Sequence, residues 1–160
     1  MISRTKFEPD FTIICQMFEK ADLGKVEKAE PLGAGEYNAV YSVTADGKPY
    51  VLKIAPANDT EVLTYEKDIM RSEVYWLKQM RAHTSICVPQ VYFEDFSRQL
   101  LPADYFIMER MNGRQLNDAD LSKEEMADAR RRIVKMTAQL HRVKHHQYGY
   151  IQNALYADWY

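Results

Sequence analysis

Asp46-Gly47 lies between two short runs rich in β-branched and aromatic residues, NAVYSVT at 38–44 and PYVLKI at 49–54. An Asp-Gly pair in that setting predicts a two-residue hairpin turn, because both central positions need positive φ. A third strand near 26–32 precedes this hairpin. Residues 61–80 read as a helix, and 88–93 and 105–109 as two further strands. The order helix, three strands, helix, two strands, helix predicts an α+β fold and not a parallel βαβ arrangement.

The helices carry their own punctuation. Asp10, after Pro9, is placed as N-cap of a first helix with Ile14, Met17, Phe18 and Ala21 on one face, and Gly24 is placed to end it. In 61–80, Val62, Tyr65, Ile69, Trp76, Leu77 and Met80 recur at three- and four-residue steps. Ser122 and Glu125 have capping-box spacing, with Leu121 and Met126 as a hydrophobic staple. Met126, Ala129, Ile133, Met136, Leu140 and Val143 then form a stripe, expected to pack into a globular core, with a coiled-coil seam as the competing arrangement. Arg130-Arg131-Arg132 reads as a solvated face.

With 160 residues, 46% of them hydrophobic, the chain can bury the core of one ordinary domain. A formal charge of -2 offers no basic field for nucleic acid and no polybasic membrane anchor. Charged residues interrupt the first twenty positions and no apolar run reaches membrane-spanning length, so a soluble cytoplasmic protein is expected. Cys15 and Cys87, far apart and without a C-x-x-C pair, are expected to be reduced thiols.

Three features carry chemistry. The segment Leu32-Gly33-Ala34-Gly35-Glu36-Tyr37-Asn38-Ala39-Val40 joins the first strand to the second. Gly33 and Gly35 let the backbone turn tightly and bring its N–H groups near an anion, and the following strand argues against a dinucleotide-type loop. Taken alone, the G-x-G is a weak signal and a plain turn accounts for it better. Lys53 lies one strand later, facing either solvent or a buried partner; alternation does not decide which. Glu73 falls four residues after Ile69 and three before Trp76, on the apolar stripe, where a carboxylate needs a partner or must reach water at the stripe's edge. Lys53 is the natural partner, and breaking a buried pair of this kind costs about 3–5 kcal/mol.

A glycine loop, a strand lysine and a helix glutamate in that order resemble the amino-terminal lobe of protein-kinase-like folds. Tyr50-Val51-Leu52-Lys53 stands where those folds have V-A-I-K, and Val40 matches the valine that closes their loop, whereas Asn38 replaces a third glycine. The chain more closely resembles the aminoglycoside phosphotransferase family, in Val88-Pro89-Gln90-Val91, in 105–113 (YFIMERMNG), in Leu140-His141 and in Tyr148-Gly149-Tyr150-Ile151. The resemblance implies an antiparallel sheet of about five strands with one packed helix, a hinge, and a long helix opening an incomplete helical lobe. The corresponding divisions are 1–107, 108–113 and 114–160. It implies ATP as ligand, with Met108 to Met111 as hinge, the Glu109 carbonyl and Met111 N–H addressing adenine, Val40 and Val51 covering the base, and Lys53 reaching the phosphates. The acceptor would be the hydroxyl of a small molecule.

Such enzymes use an H-x-D-x-x-x-x-N segment, whose Asp takes the acceptor proton and whose Asn binds magnesium with a later Asp. None of His83, His141, His145 or His146 is followed by Asp at the second position. The segment is expected after Tyr148-Gly149-Tyr150, so catalysis and magnesium binding are expected only in a longer protein. Tyr148, Tyr150, Tyr156, Trp159 and Tyr160 form an aromatic tail expected to lack packing partners and to meet either the remaining lobe or a second copy. A non-catalytic nucleotide-binding or dimerising module, and a structural domain with a chance G-x-G, are the competing readings.

Overall fold

The computed structural model describes residues 8–33 and 37–158. Asp10 caps α1 (Phe11–Lys20) by accepting a bond from the Ile13 N–H at 2.9 Å, and Ile14, Met17 and Phe18 are buried as their spacing predicts. Strands β1 (Val26–Pro31), β2 (Ala39–Ala45) and β3 (Lys48–Ile54) follow, then α2 (Ile69–His83), β4 (Val91–Asp95) and β5 (Tyr105–Glu109). A short 3-10 turn (Leu116–Asp118), α3 (Lys123–Leu140) and a small hairpin of β6 (Tyr148–Gly149) and β7 (Leu155–Tyr156) complete the order. The five main strands form one antiparallel sheet in the order β1-β2-β3-β5-β4.

The hairpin that constrains the sequence most is present as expected. Ala45 pairs with Lys48 across Asp46 and Gly47, whose φ values are 45° and 70°. Asp46 also braces the entry to β1: its Oδ1 accepts from the Lys25 N–H at 3.1 Å and its N–H donates to the Lys25 carbonyl at 3.1 Å. Gly24 adopts φ +92°, and a Cβ there would lie 2.3 Å from the Asp46 carboxylate. The backbone conformation favours glycine at this position, and a Cβ would also force the Asp46 side chain aside.

Strand register divides the sheet into two faces. Ala39, Tyr41, Val43 and Ala45 of β2 join Tyr50, Leu52 and Ile54 of β3 and Tyr105 and Ile107 of β5 in a core closed by α1. On the other face Phe106 packs with Met70 and Val74 of α2. At the sheet edge, Lys20 of α1 holds Asp95 of β4 at 2.7 Å. Burial raises the Asp95 pKa, but the hydrogen bonds from Lys20 and from Ser97 outweigh it and hold the carboxyl at about 2.

Three expectations need correction. The helix expected over 61–80 begins only at Ile69 and runs to His83; Val62 lies in irregular chain and Tyr65 in a turn before it. Asp68 takes a left-handed conformation (φ 56°) and breaks the helical path there. The α3 stripe was expected in a core. Instead α3, capped by the Ser122–Glu125 box, buries none of its residues, and Ile133, Val134 and Met136 are exposed. The tail also finds a partner: Tyr150 stacks on Tyr65 with ring centroids 6.5 Å apart, and Gln152 donates to the Tyr65 carbonyl at 3.2 Å. Trp159 and Tyr160 lie outside the described residues. Both cysteines are free thiols.

Gly24→Ala is expected to destabilise the chain by about 1–3 kcal/mol, read as a lower denaturant midpoint at unchanged slope. The depressed Asp95 pKa gives a second expectation. Its contribution is fully present above the unfolded value of about 4 and is lost as pH falls through about 2. Lys20→Met should therefore cost about 2 kcal/mol at pH 6, and this gap should close as denaturation is repeated toward pH 2.

Candidate functional site

The register places four of the expected site residues on the α2 face of the sheet. Lys53 stands opposite Val40 on β2 and Phe106 on β5. One step along, Val51 stands opposite Ser42 and Met108. Since cross-strand partners share a face, Val40, Val51, Lys53 and Met108 look the same way. Alternation within β3 left the orientation of Lys53 open, and its partner strands decide it.

Glu73 meets Lys53 from α2. The Lys53 Nζ donates to Glu73 Oε1 at 2.7 Å and to Oε2 at 2.8 Å, so both carboxylate oxygens are engaged. The side chains are 19% and 35% exposed. The pair is partly buried and not enclosed, so the cost of breaking it falls below that of a fully buried pair.

At the head of the glycine loop Gly33 takes φ +82°, and the Leu32 N–H donates to the Val40 carbonyl at 2.7 Å, which closes the loop's base. Ala34, Gly35 and Glu36 lie outside the described residues. Tyr37 and Asn38 return toward α2. The Tyr37 hydroxyl donates to the Glu66 carbonyl at 3.4 Å, and burial, then the nearby Glu66 carboxylate, raise its pKa. Asn38 Oδ1 is buried without a hydrogen-bond partner among the described residues. These two residues border a cavity of about 340 Å³ that Ile69, Ser72, Glu73 and Trp76 close from the α2 side.

At the far end of β5 the Glu109 N–H donates to the Gln90 carbonyl at 2.8 Å, and its Oε2 accepts from the Gln90 N–H at 3.1 Å. Both bonds tie the strand's exit to the approach of β4. Arg110 then contacts the Ser42 hydroxyl, and Met111 is exposed beyond the sheet.

An ionic cluster around one buried carboxylate carries no mark in the sequence pattern. Asp104, 2% exposed, binds Arg71 of α2 and Arg98 of the β4–β5 connection, and Arg98 also pairs with Asp68. Arg71 was discoverable, since it flanks the apolar stripe of α2 on the side away from Glu73. Its partners lie in loops, where no period marks them. Among the described residues no group of His, Cys, Asp and Glu could hold a metal ion, and no helix is long and apolar enough to cross a membrane.

The sequence profile of the phosphotransferase enzyme family (APH) matches residues 28–159. The chain therefore belongs to the phosphotransferase enzyme family. Among solved structures it is similar to a candidate aminoglycoside phosphotransferase of Ralstonia eutropha JMP134, with TM-score 0.64 and 16% identity over 84% of this chain and 39% of that one. It is also similar to a candidate fructosamine-3-kinase of Haemophilus somnus 129PT, with TM-score 0.57 and 19% identity over 91% and 48% of the two chains. A third is a thermostable mutant of an aminoglycoside phosphotransferase in ternary complex with ADP and hygromycin B, with TM-score 0.52 and 19% identity over 81% and 38%. At these identities the likeness is one of fold: the five-stranded sheet and its helices match the kinase-like amino-terminal lobe. The chain spans less than half the length of each structure. No curated protein sequence gives a match.

Glu73→Gln should cost about 1–2 kcal/mol in place of the larger loss expected from a fully buried pair. Chemical denaturation of the two chains at pH 7 checks the figure.

Proposed function

We propose that this chain is the ATP-binding portion of a small-molecule phosphotransferase that moves the γ-phosphate to a hydroxyl acceptor. The bidentate Lys53–Glu73 pair on the α2 face of the sheet carries the reading. An ammonium held by both oxygens of one carboxylate has lost most of its freedom, and its remaining N–H can address a phosphate oxygen with little further ordering. The residues fit a nucleotide. The backbone N–H groups of Gly33, Ala34, Gly35, Glu36 and Tyr37 would cradle phosphates, and Val40, Val51 and Met108 would bound the base. The Glu109 carbonyl and Met111 N–H would meet the edge of adenine. Asn38 borders the same cavity, and its amide can present either oxygen or N–H₂ to a ligand.

These residues bind and orient; they do not supply the proton acceptor. No His of the chain begins an H-x-D segment, the pattern that would supply the acceptor base and a magnesium ligand. We assign both roles to a complete enzyme, with 1–107 as nucleotide-binding lobe, 108–113 as hinge and 114–160 as the opening of the helical lobe. Bound magnesium would there neutralise phosphate charge. The ternary complex of the similar aminoglycoside phosphotransferase with ADP and hygromycin B supports a nucleotide and a small-molecule acceptor as ligands. The exposed Ile133, Val134 and Met136 of α3 favour a second role, as the surface that meets the rest of such an enzyme or a second copy of this chain.

A thermal-shift titration with ATP and magnesium tests the reading. At a hundredfold excess over Kd the nucleotide should stabilise the chain by about 2.7 kcal/mol, and Lys53→Ala should lose most of that gain. An unresponsive wild-type chain, or an equal response in Lys53→Ala, would refute it.

A further inference from the structure

α2 meets the sheet through a narrow contact. Its buried residues are Met70 and Val74, one turn apart, with Leu77 partly packed beside them. At about 100° per residue, Arg71 and Glu73 project about 80° to either side of that stripe's centre. A stripe this narrow holds the helix down but resists rotation about the helix axis only weakly. Polar tethers on both sides supply that resistance.

Glu73 and Lys53 form one tether. On the other side the Arg71 Nε donates to Asp104 Oδ2 at 2.9 Å, and its Nη2 reaches Asp104 Oδ1 at 3.4 Å and the Phe96 carbonyl at 3.3 Å. The guanidinium also lies 5.2 Å from the centre of the Phe96 ring. Asp104 is itself fixed to the sheet. It immediately precedes β5, and its carbonyl accepts from the Ala55 N–H at 2.9 Å, just beyond β3. Arg98 engages the same carboxylate at 2.7 Å and reaches Asp68, the residue before α2. Asp68 and Arg98 both have φ of 56°, and Asp68 makes no capping bond with its side chain. The start of α2 is therefore held by this cluster and not by its own cap.

We propose that Asp104, acting through Arg71, is a positioning residue for the Lys53–Glu73 pair. It sets the rotation of α2 about its axis so that Glu73 presents both oxygens to Lys53. The consequence for nucleotide affinity rests on the reading of Lys53 as a phosphate ligand, whereas the effect on the pair does not.

The test uses the full chain and Arg71→Gln, which removes the tether while leaving Asp104 paired with Arg98. Asp104→Asn is the second variant, Glu73→Gln the reference, and Ile14→Ala, in the core on the opposite face, the control for general loosening. Lysine acylation by acetic anhydride, followed by mass spectrometry, reads the pair directly, because an ammonium held by a carboxylate is a poor nucleophile. Arg71→Gln should raise Lys53 acylation several-fold, toward the Glu73→Gln rate, and Ile14→Ala should not. ATP affinity should fall about tenfold in Arg71→Gln, with adenosine affinity within about twofold of wild type because adenosine has no phosphates.

Wild-type acylation of Lys53 in Arg71→Gln, or an equal rise in Ile14→Ala, overturns the proposal. If wild-type chain binds no ATP while Arg71→Gln still releases Lys53, the nucleotide reading falls and the positioning role stands. Should Asp104→Asn fail to fold, Arg71→Gln alone decides.

Discussion

A charged ammonium on an apolar sheet face requires a counter-charge, and much of this structure follows from that requirement. Lys53 sits on the central strand between Val40 and Phe106, with strands on either side and no edge through which its head can escape to water. The carboxylate must come from above the face, which means from α2. The helix is thereby committed in place, in rotation and in starting point. Residues 64–68 become the turns that deliver it, and the Asp104 cluster and the Lys78–Glu94 pair attach it further.

The two faces of the sheet divide the work. On one, α1 closes a continuous, largely apolar core with Phe18 edge-on to Tyr50 at 5.6 Å. The other is covered more sparsely, by Met70, Val74 and the ion pair. Burial is thus concentrated on the α1 side, and the face that carries Lys53 keeps a cavity bordered by Asn38, Ser72 and Glu73.

What the sequence disclosed follows from how local each signal is. The Asp46-Gly47 turn, the Asp10 and Ser122 caps and the strand runs around Lys53 depend on neighbours a few residues apart, and all are present. Lys53 and Glu73 are legible as a pair because a carboxylate on the apolar stripe needs a partner and a strand lysine can supply it. Arg71 was passed over because an arginine at the edge of a stripe violates none. The helix was read through 61–68 because spacing alone cannot show that Asp68 is drawn to Arg98, thirty residues away. The α3 stripe failed for a related reason: periodicity shows that a face is apolar and says nothing of what covers it. How the glycine loop and hinge residues meet a ligand is settled by that ligand, which no spacing encodes.

α3 also shows where the site's rigidity ends. Neither buried cluster includes an α3 residue, so the sheet, α1 and α2 enclose their cores without it. Its described side-chain link to the α2–β4 connection is polar, with Gln139 Oε1 accepting from the N–H and hydroxyl of Ser85 at 3.1 and 2.9 Å. Exposed hydrogen bonds of this kind contribute about 1 kcal/mol each, far less than a buried apolar face. The geometry around Lys53 is therefore fixed by elements that precede α3, and the apolar stripe of α3 adds a surface to that unit without shaping its site.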